Sequence, residues 1–220
     1  MSHKVHPYSH RLGIIRDWQS RWFGVRGEYQ KFLKADVLLR EFLEKRLRGM
    51  FVNSVEIERG RNSVRILIKS SRPGMIIGRS GEGSNRLKQD ILKLFKKLDI
   101  VVPKEFRMDI EEVKNPESHA RITAQMIAEG LEKRMPFKRV AKQIMDKVMA
   151  NKNVEGVKVS LSGRLGGADM SRHESLKKGR LPLQTLRADI DFACEKAYMS
   201  YGVIGIKVWI YRGEIFDIKN

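Results

Sequence analysis

The apolar residues in the first half of this chain switch repeatedly between a helical and a strand period, and that alternation restricts the fold more than any other feature. Leu39, Phe42, Leu43 and Leu47 recur at helical spacing within residues 28–48, with Glu41, Glu44, Lys45 and Arg48 on the other face and Gly49 as a stop. Val55 and Ile57 then alternate with Ser54, Glu56 and Glu58, and Val64, Ile66 and Ile68 alternate with Arg65 and Lys69. Between them, Arg59-Gly60-Arg61-Asn62 has the composition of a hairpin turn. Pro73-Gly74, the short apolar run Met75-Ile76-Ile77 and the loop Gly78-Arg79-Ser80-Gly81 follow. Leu87, Ile91, Leu94, Phe95 and Leu98 return to helical spacing, with Lys88, Lys93, Lys96 and Lys97 mostly outside. Residues 105–113 alternate again, with Phe106, Met108 and Ile110 inward. The order helix, strand, strand, short helix, loop, helix, strand predicts an α+β layer of three strands with helices on one face.

Lys114-Asn115-Pro116 reads as a linker into a second α+β domain. A helix is expected over 117–134, with Ala120, Ala124, Ile127 and Leu131 inside. Pro136 opens another in the favoured first position, with an apolar face of Phe137, Val140, Ala141, Ile144 and Val148. Strands are expected at 156–162, 183–194 and 203–211, and no repeat or low-complexity tract is present.

The chain has 220 residues, 41% of them hydrophobic, so real cores are available. Its formal net charge is +18, from 44 Lys and Arg against 26 Asp and Glu. Such an excess strains a compact fold unless a polyanion neutralises it, and nucleic acid is the commonest such partner. An anionic membrane would call for a basic amphipathic helix or a lipid signal, and neither is evident. No stretch approaches a membrane span, and no apolar segment follows Met1-Ser2-His3-Lys4-Val5-His6-Pro7 as a secretory signal would require. The lone Cys194 forms no internal disulfide and reads as a small buried hydrophobe, so a soluble cytosolic protein is expected. Residues 1–16 contain Lys4, Arg11, Arg16, His3, His6 and His10 and no acid, which reads as a basic arm lying against phosphate. The spacing of its histidines does not put them on one helical face, so no metal site is expected.

Ile76-Ile77-Gly78-Arg79-Ser80-Gly81 is the sharpest local motif. A glycine at each end lets backbone approach a sugar-phosphate chain, the following helix points its N-terminal amides at the anion, and Arg79 adds a charge. The apolar residues before the loop would line a groove for bases. This is how a KH domain clamps about four nucleotides of single-stranded RNA. The two nucleotide-cofactor motifs fail on count: Gly74 and Gly78 enclose three residues rather than the four of a P-loop, and Arg79 or Ser80 stands where a Rossmann turn needs glycine. Gly163-Arg164-Leu165-Gly166 has the same glycine spacing but no helical pattern after it.

In the second half, Arg134, Lys138 and Lys142 recur every four residues beside Arg139, with no acid before Asp146. Like charges at this spacing repel, and an external anion such as RNA relieves that. Arg164, Arg172, Lys177, Lys178 and Arg180 lie in a Gly-rich stretch and read as a further phosphate contact. Asp189 and Asp191 share one side of a strand; a two-metal nuclease could use such a pair, but a solvent face paired with Arg187 is the simpler reading. Trp18, Trp22, Phe23 and Trp209 read as core or inter-protein contacts rather than base platforms.

Several long motifs in one order resemble the bacterial-type family of small-subunit ribosomal protein three. They are Lys4-Val5-His6-Pro7, Arg11-Leu12-Gly13-Ile14-Ile15-Arg16-Asp17-Trp18, Arg72-Pro73-Gly74-Met75-Ile76-Ile77-Gly78 and Val113-Lys114-Asn115-Pro116. Further on come Ser162-Gly163-Arg164-Leu165-Gly166-Gly167-Ala168, then residues 182–191 from Pro182 to Asp191, and 201–210 from Tyr201 to Ile210. The resemblance implies a type II KH domain over 17–113, a three-stranded mixed sheet with helices on one face. A second α+β domain over 114–220 has a mainly antiparallel sheet and two helices. It implies a non-enzymatic, cytoplasmic constituent of the small-subunit head that needs no cofactor, metal or small-molecule substrate. Its implied partners are small-subunit rRNA, messenger RNA and the tenth and fourteenth head proteins, and a free KH-type RNA chaperone is the alternative. By motif alignment the family's messenger-entry residues, which help unwind messenger without ATP, fall on Lys138, Arg139 and Lys142. Lys138 stands where the family often has Arg, which keeps the charge but loses the bidentate fork. Lys4, Arg11, Arg16, Arg72, Arg164, Arg172, Lys177, Lys178 and Arg180 are the expected rRNA contacts. Gly83 and Ser84 depart from the helix formers usual after the loop, which bears on where the next helix starts.

Overall fold

A computed structural model describes residues 5–25, 27–60, 63–97 and 105–216. Lys4, the Arg61-Asn62 part of the hairpin turn, Leu98 and the last four residues lie outside them. The chain divides into two units: Gln19–Lys114, and a second formed by Asn115 onward together with the residues up to Trp18.

In the first unit, β1 (Ser20–Arg21), β2 (Val52–Arg59), β3 (Ser63–Ser70) and β4 (Glu105–Glu112) form one sheet in the order β1-β2-β3-β4. β2 and β3 are antiparallel with Ile57 opposite Ile66, whereas β3–β4 and β1–β2 are parallel. The alternating residues of these strands face α2 (Gly27–Arg46) and α4 (Glu82–Lys97). Leu39 and Leu43 of α2, Ile57, Ile66 and Ile68 of the sheet and Ile91 of α4 are fully buried in that core. The sheet has one strand more than the three expected. A strand of two residues has no period to detect, and β1 is fixed by side chains instead. Ser20 Oγ and Trp22 Nε1 both donate to Asp36 Oδ2 on α2, at 2.9 and 2.8 Å. Trp22, partly buried, also packs on Tyr29 and Phe32.

The second unit packs α5 (Ala120–Glu132) and α6 (Phe137–Met149) on one face of an antiparallel sheet. Its strands are β5 (Gly156–Gly163), β6 (Arg172–Gly179), β7 (Ala188–Met199) and β8 (Gly202–Glu214), in the order β6-β5-β8-β7. β6 was not expected. Its residues are polar on both faces apart from Leu176, so no alternation marks it, as is common for an edge strand. β7 starts later than expected, at Ala188, and ends later because Glu195 and Lys196 interrupt the apolar alternation before the buried Ala197. Helix α5 starts at Ala120, not 117, because residues 116–118 make a tighter turn and the cap comes from far away. Ala120 N–H donates to Asp191 Oδ2 on β7 at 2.9 Å. Pro136 is the residue before α6 rather than its first, and Arg134 sits in the connecting turn at φ +59°. Arg134 therefore does not continue the α6 face, as its spacing had suggested.

The described part of the N-terminal segment, residues 5–16, is not an arm. His6 Nδ1 accepts from the amides of Tyr8 and Ser9 to start α1 (Pro7–His10), which lies on β7. Arg11 follows with no exposed surface. Its guanidinium donates to the carbonyls of Ala188 (2.6 Å), Pro7 (3.0 Å), Leu183 (3.0 Å) and Thr185 (2.8 Å). Arg16 pairs with Asp189, which Arg212 also approaches at 3.8 Å. Arg11 is thus a structural pin and not an rRNA contact, and Arg16 is engaged inside the unit. Ala188, Ile190 and Tyr211 form a small second core at this end of the sheet.

Candidate nucleic-acid interface

In the first unit, α3 (Pro73–Ile77), a tight turn over Arg79–Gly81 and α4 build the loop. Gly78 and Gly81 sit at φ +71° and +78°, which an L side chain rarely adopts. Ser80 shares the left-handed region at φ +52°. Gly83 lies in the first turn of α4, and a Cβ there would stand 2.7 Å from Ile76 O and 3.0 Å from Ile77 O. The absent side chain lets α3 press against the start of α4, so the departure from a helix former serves close packing and the helix starts at Glu82 regardless. Ser84 Oγ donates to Gly81 O at 2.7 Å and ties the loop to that first turn.

Gly78, Arg79 and Ser80 are exposed and Gly81 is half-buried. Ile76 is not at the surface: it is 3% exposed and belongs to the core. The apolar surface beside the loop is made by Ile77 and by Met75, 54% exposed, which belongs to the apolar run but lies outside the motif that begins at Ile76. Arg72 starts α3, is exposed, and its guanidinium stacks 4.4 Å from the Phe51 ring centroid.

In the second unit, Lys138, Arg139 and Lys142 are all exposed on α6, opposite buried Val140, Ala141, Met145 and Val148. Lys138 Nζ stands 3.9 Å from Glu174 on β6, while no carboxylate lies within 4 Å of Arg139 or Lys142 among the described residues. Of the basic residues read in 163–180, Arg172, Lys177 and Arg180 are exposed and likewise free of close acids among the described residues. Lys178 pairs with Asp146 at 2.7 Å. Arg164 is half-exposed and donates to Ala168 O, Tyr201 O and Asp169 Oδ1, so its guanidinium braces the Gly163–Gly167 turn.

The paired acids do not make a nuclease site. Asp191 caps α5 and accepts from Arg212 Nη2 at 3.0 Å, Asp189 is held by Arg16, and Arg187 pairs with Glu214. Arg212 also donates to Ser118 O and meets His119 Nδ1 at 3.1 Å; since a guanidinium only donates, that nitrogen accepts. Burial first, and the Arg212 charge second, hold the His119 pKa below its usual value against the pull of Asp191. Cys194 is exposed on β7, not buried as expected. No group of three His, Cys, Asp or Glu arranged for a metal occurs among the described residues.

Comparison with known proteins agrees with this architecture. The KH domain profile matches residues 38–118 and that of "Ribosomal protein S3, C-terminal domain" matches 127–210. The small ribosomal subunit protein uS3 of Caldicellulosiruptor bescii is 42% identical over 219 residues, covering 100% of this chain and 96% of its own length. That of Maridesulfovibrio salexigens is 43% identical over 218 residues, 99% of this chain and 98% of its own. That of Solibacter usitatus is 45% identical over 220 residues, 100% of this chain and 61% of its own. With a KH unit, an S3-type C-terminal unit and relatives aligned end to end, the chain belongs to the family of small ribosomal subunit protein uS3.

Proposed function

We propose that this chain is a structural, non-enzymatic constituent of the small ribosomal subunit, bound to rRNA in the head and lying along messenger RNA at its entry channel. The observation that carries the messenger reading is the α6 face, where Lys138, Arg139 and Lys142 stand exposed with one acid, Glu174 at 3.9 Å from Lys138, near them. Three cations on one turn and a half of helix hold phosphates without reading bases, which suits a sequence-indifferent track. Arg139 offers a planar fork to one phosphate, and Lys138 and Lys142 act as mobile point charges. Binding the backbone of a strand as it leaves a duplex favours the open form, and no nucleotide hydrolysis is needed for that bias. The rRNA contacts assigned to this reading are the loop Gly78–Gly81 with Ile77, together with Arg72, Arg172, Lys177 and Arg180. Tyr29, Leu33 and Val37 are about half exposed at four-residue spacing on α2, and they suit contacts with the neighbouring head proteins.

Replacing Lys138, Arg139 and Lys142 by Gln tests the messenger role. Translation through a stable messenger hairpin should slow by more than translation of an unstructured messenger, while sedimentation with small subunits is retained. Equal slowing on both messengers defeats the entry-face assignment. A wild-type chain found only free of subunits in lysate would make it an RNA chaperone instead.

A further inference from the structure

The sheet of the second unit has a face that the helices leave uncovered, and its charge is one-sided. Pairing registers place Lys177, Lys158, Trp209 and Phe192 in one row across the four strands. The next row is Ser175, Ser160, Lys207 and Cys194, and the one after is His173, Ser162, Gly205 and Lys196. No Asp or Glu occurs in these three rows, and none of the four lysines has a carboxylate within 4 Å among the described residues. Lys158, Lys207 and Lys196 advance one strand and one row at a time, so they form a diagonal. From strand and residue spacings the steps are about 8 Å, with Lys177 beside its head.

The first unit supplies an internal contrast. Its uncovered sheet face is also charged, but there Arg65 pairs with Asp109 at 2.7 Å, Lys69 with Glu56 at 2.6 Å and Arg21 with Glu58 at 2.8 Å. That face neutralises itself, whereas the second one does not. Part of the second face is already used: His6 meets the Phe192 ring edge-on at 4.7 Å, and α1 with Arg11 closes the end beyond it. Trp209 stacks obliquely on Phe192 at 5.1 Å, and Lys158 lies 5.3 Å over the Trp209 ring. Ser160 and His173 are already joined at 2.8 Å, so these two groups between the lysines are satisfied within the sheet.

From this we infer that the open face of the β6-β5-β8-β7 sheet is a further RNA-backbone surface, distinct from α6 and from the KH loop and continuing from the Lys177 contact, on which Lys177, Lys158, Lys207 and Lys196 hold successive phosphates. It rests on the RNA-binding reading above, and its ligand is the polyanionic backbone, because the rows present donors and charge but no pocket for a base.

The test replaces these four lysines by Gln in the full chain and measures binding to a 20-base-pair RNA duplex with a single-stranded tail, from 50 to 300 mM KCl. Each phosphate contact contributes roughly 0.7–0.9 to the slope of log K against log salt, so the slope should flatten by about three. The thermal midpoint should stay unchanged, since the side chains are outside both cores. An unchanged slope overturns the inference while leaving the RNA reading intact, provided the K138Q/R139Q/K142Q chain measured alongside loses slope. A wild-type chain with no salt-dependent binding at all removes both. A photoreactive residue at position 177 in assembled subunits should cross-link to RNA; a cross-link to protein instead overturns the inference and assigns the face to an acidic protein partner.

Discussion

Replacing Arg11 by Ala distinguishes a pin from a phosphate contact. In the folded chain the guanidinium is fully enclosed and makes four hydrogen bonds to carbonyls of Pro7, Leu183, Thr185 and Ala188. Truncation removes one donor from each of those carbonyls, of which Thr185 O keeps the Ala188 N–H at 3.3 Å, at about 1 kcal/mol for each lost bond once partial access to water is allowed. Relief from burying the charge offsets some of this, and the vacated volume adds to it, so a net loss of roughly 3–4 kcal/mol is expected. That is a large share of the ~5–15 kcal/mol that holds an ordinary domain together. The loss should appear as a lower urea midpoint and as faster amide exchange over residues 7–16 and 181–190. Arg11→Lys should recover little, because a single ammonium cannot reach carbonyls arranged around a planar fork. RNA affinity measured below the unfolding range should keep its salt slope. A variant within 0.5 kcal/mol of wild type whose RNA salt slope drops by about one would refute the buried-pin account.

Three further outcomes follow from the geometry. Gly83→Ala should destabilise the KH unit by about 1–3 kcal/mol although alanine is the better helix former, because its Cβ would meet Ile76 O; a gain of up to ~1 kcal/mol in thermal unfolding would show that α3 simply moves away. Asp36→Ala should cost about 3–5 kcal/mol and redshift Trp22 fluorescence, since it strands the buried Arg59 charge 3.7 Å away and removes the acceptor of Trp22 Nε1; an unshifted spectrum argues against it. For His119, the folded pKa lies below the unfolded value of ~6.5, so below that pH the unfolded chain binds more protons and stability falls as pH drops from about 6.5 toward the folded pKa. His119→Gln should flatten that part of the pH–stability curve, and an unaltered curve assigns the dependence to other groups.

Much of the first unit was legible because its apolar residues are strictly periodic: every residue named on the α2 stripe, and the inward residues of β2, β3 and β4, lie in or against one core. What escaped detection depended on partners distant in sequence. The α5 cap is Asp191, 71 positions from the amide it holds, and Arg11 finds three of its four acceptors more than 170 positions away. Charge counting could not separate Arg11 and Arg164, whose donors are spent on carbonyls, from Arg139 and Lys142, whose donors face out. The sheet-face lysines were hidden for a related reason. Lys158, Lys196 and Lys207 lie on three different strands, and only the register brings them into line.

The messenger-entry assignment is tested most directly by a photoreactive side chain at position 142 in assembled small subunits programmed with a labelled messenger. The account predicts a cross-link to messenger nucleotides downstream of the decoded codon, weakened when Lys138 and Arg139 are replaced by Gln. Cross-links confined to rRNA or protein, with messenger untouched, would contradict it.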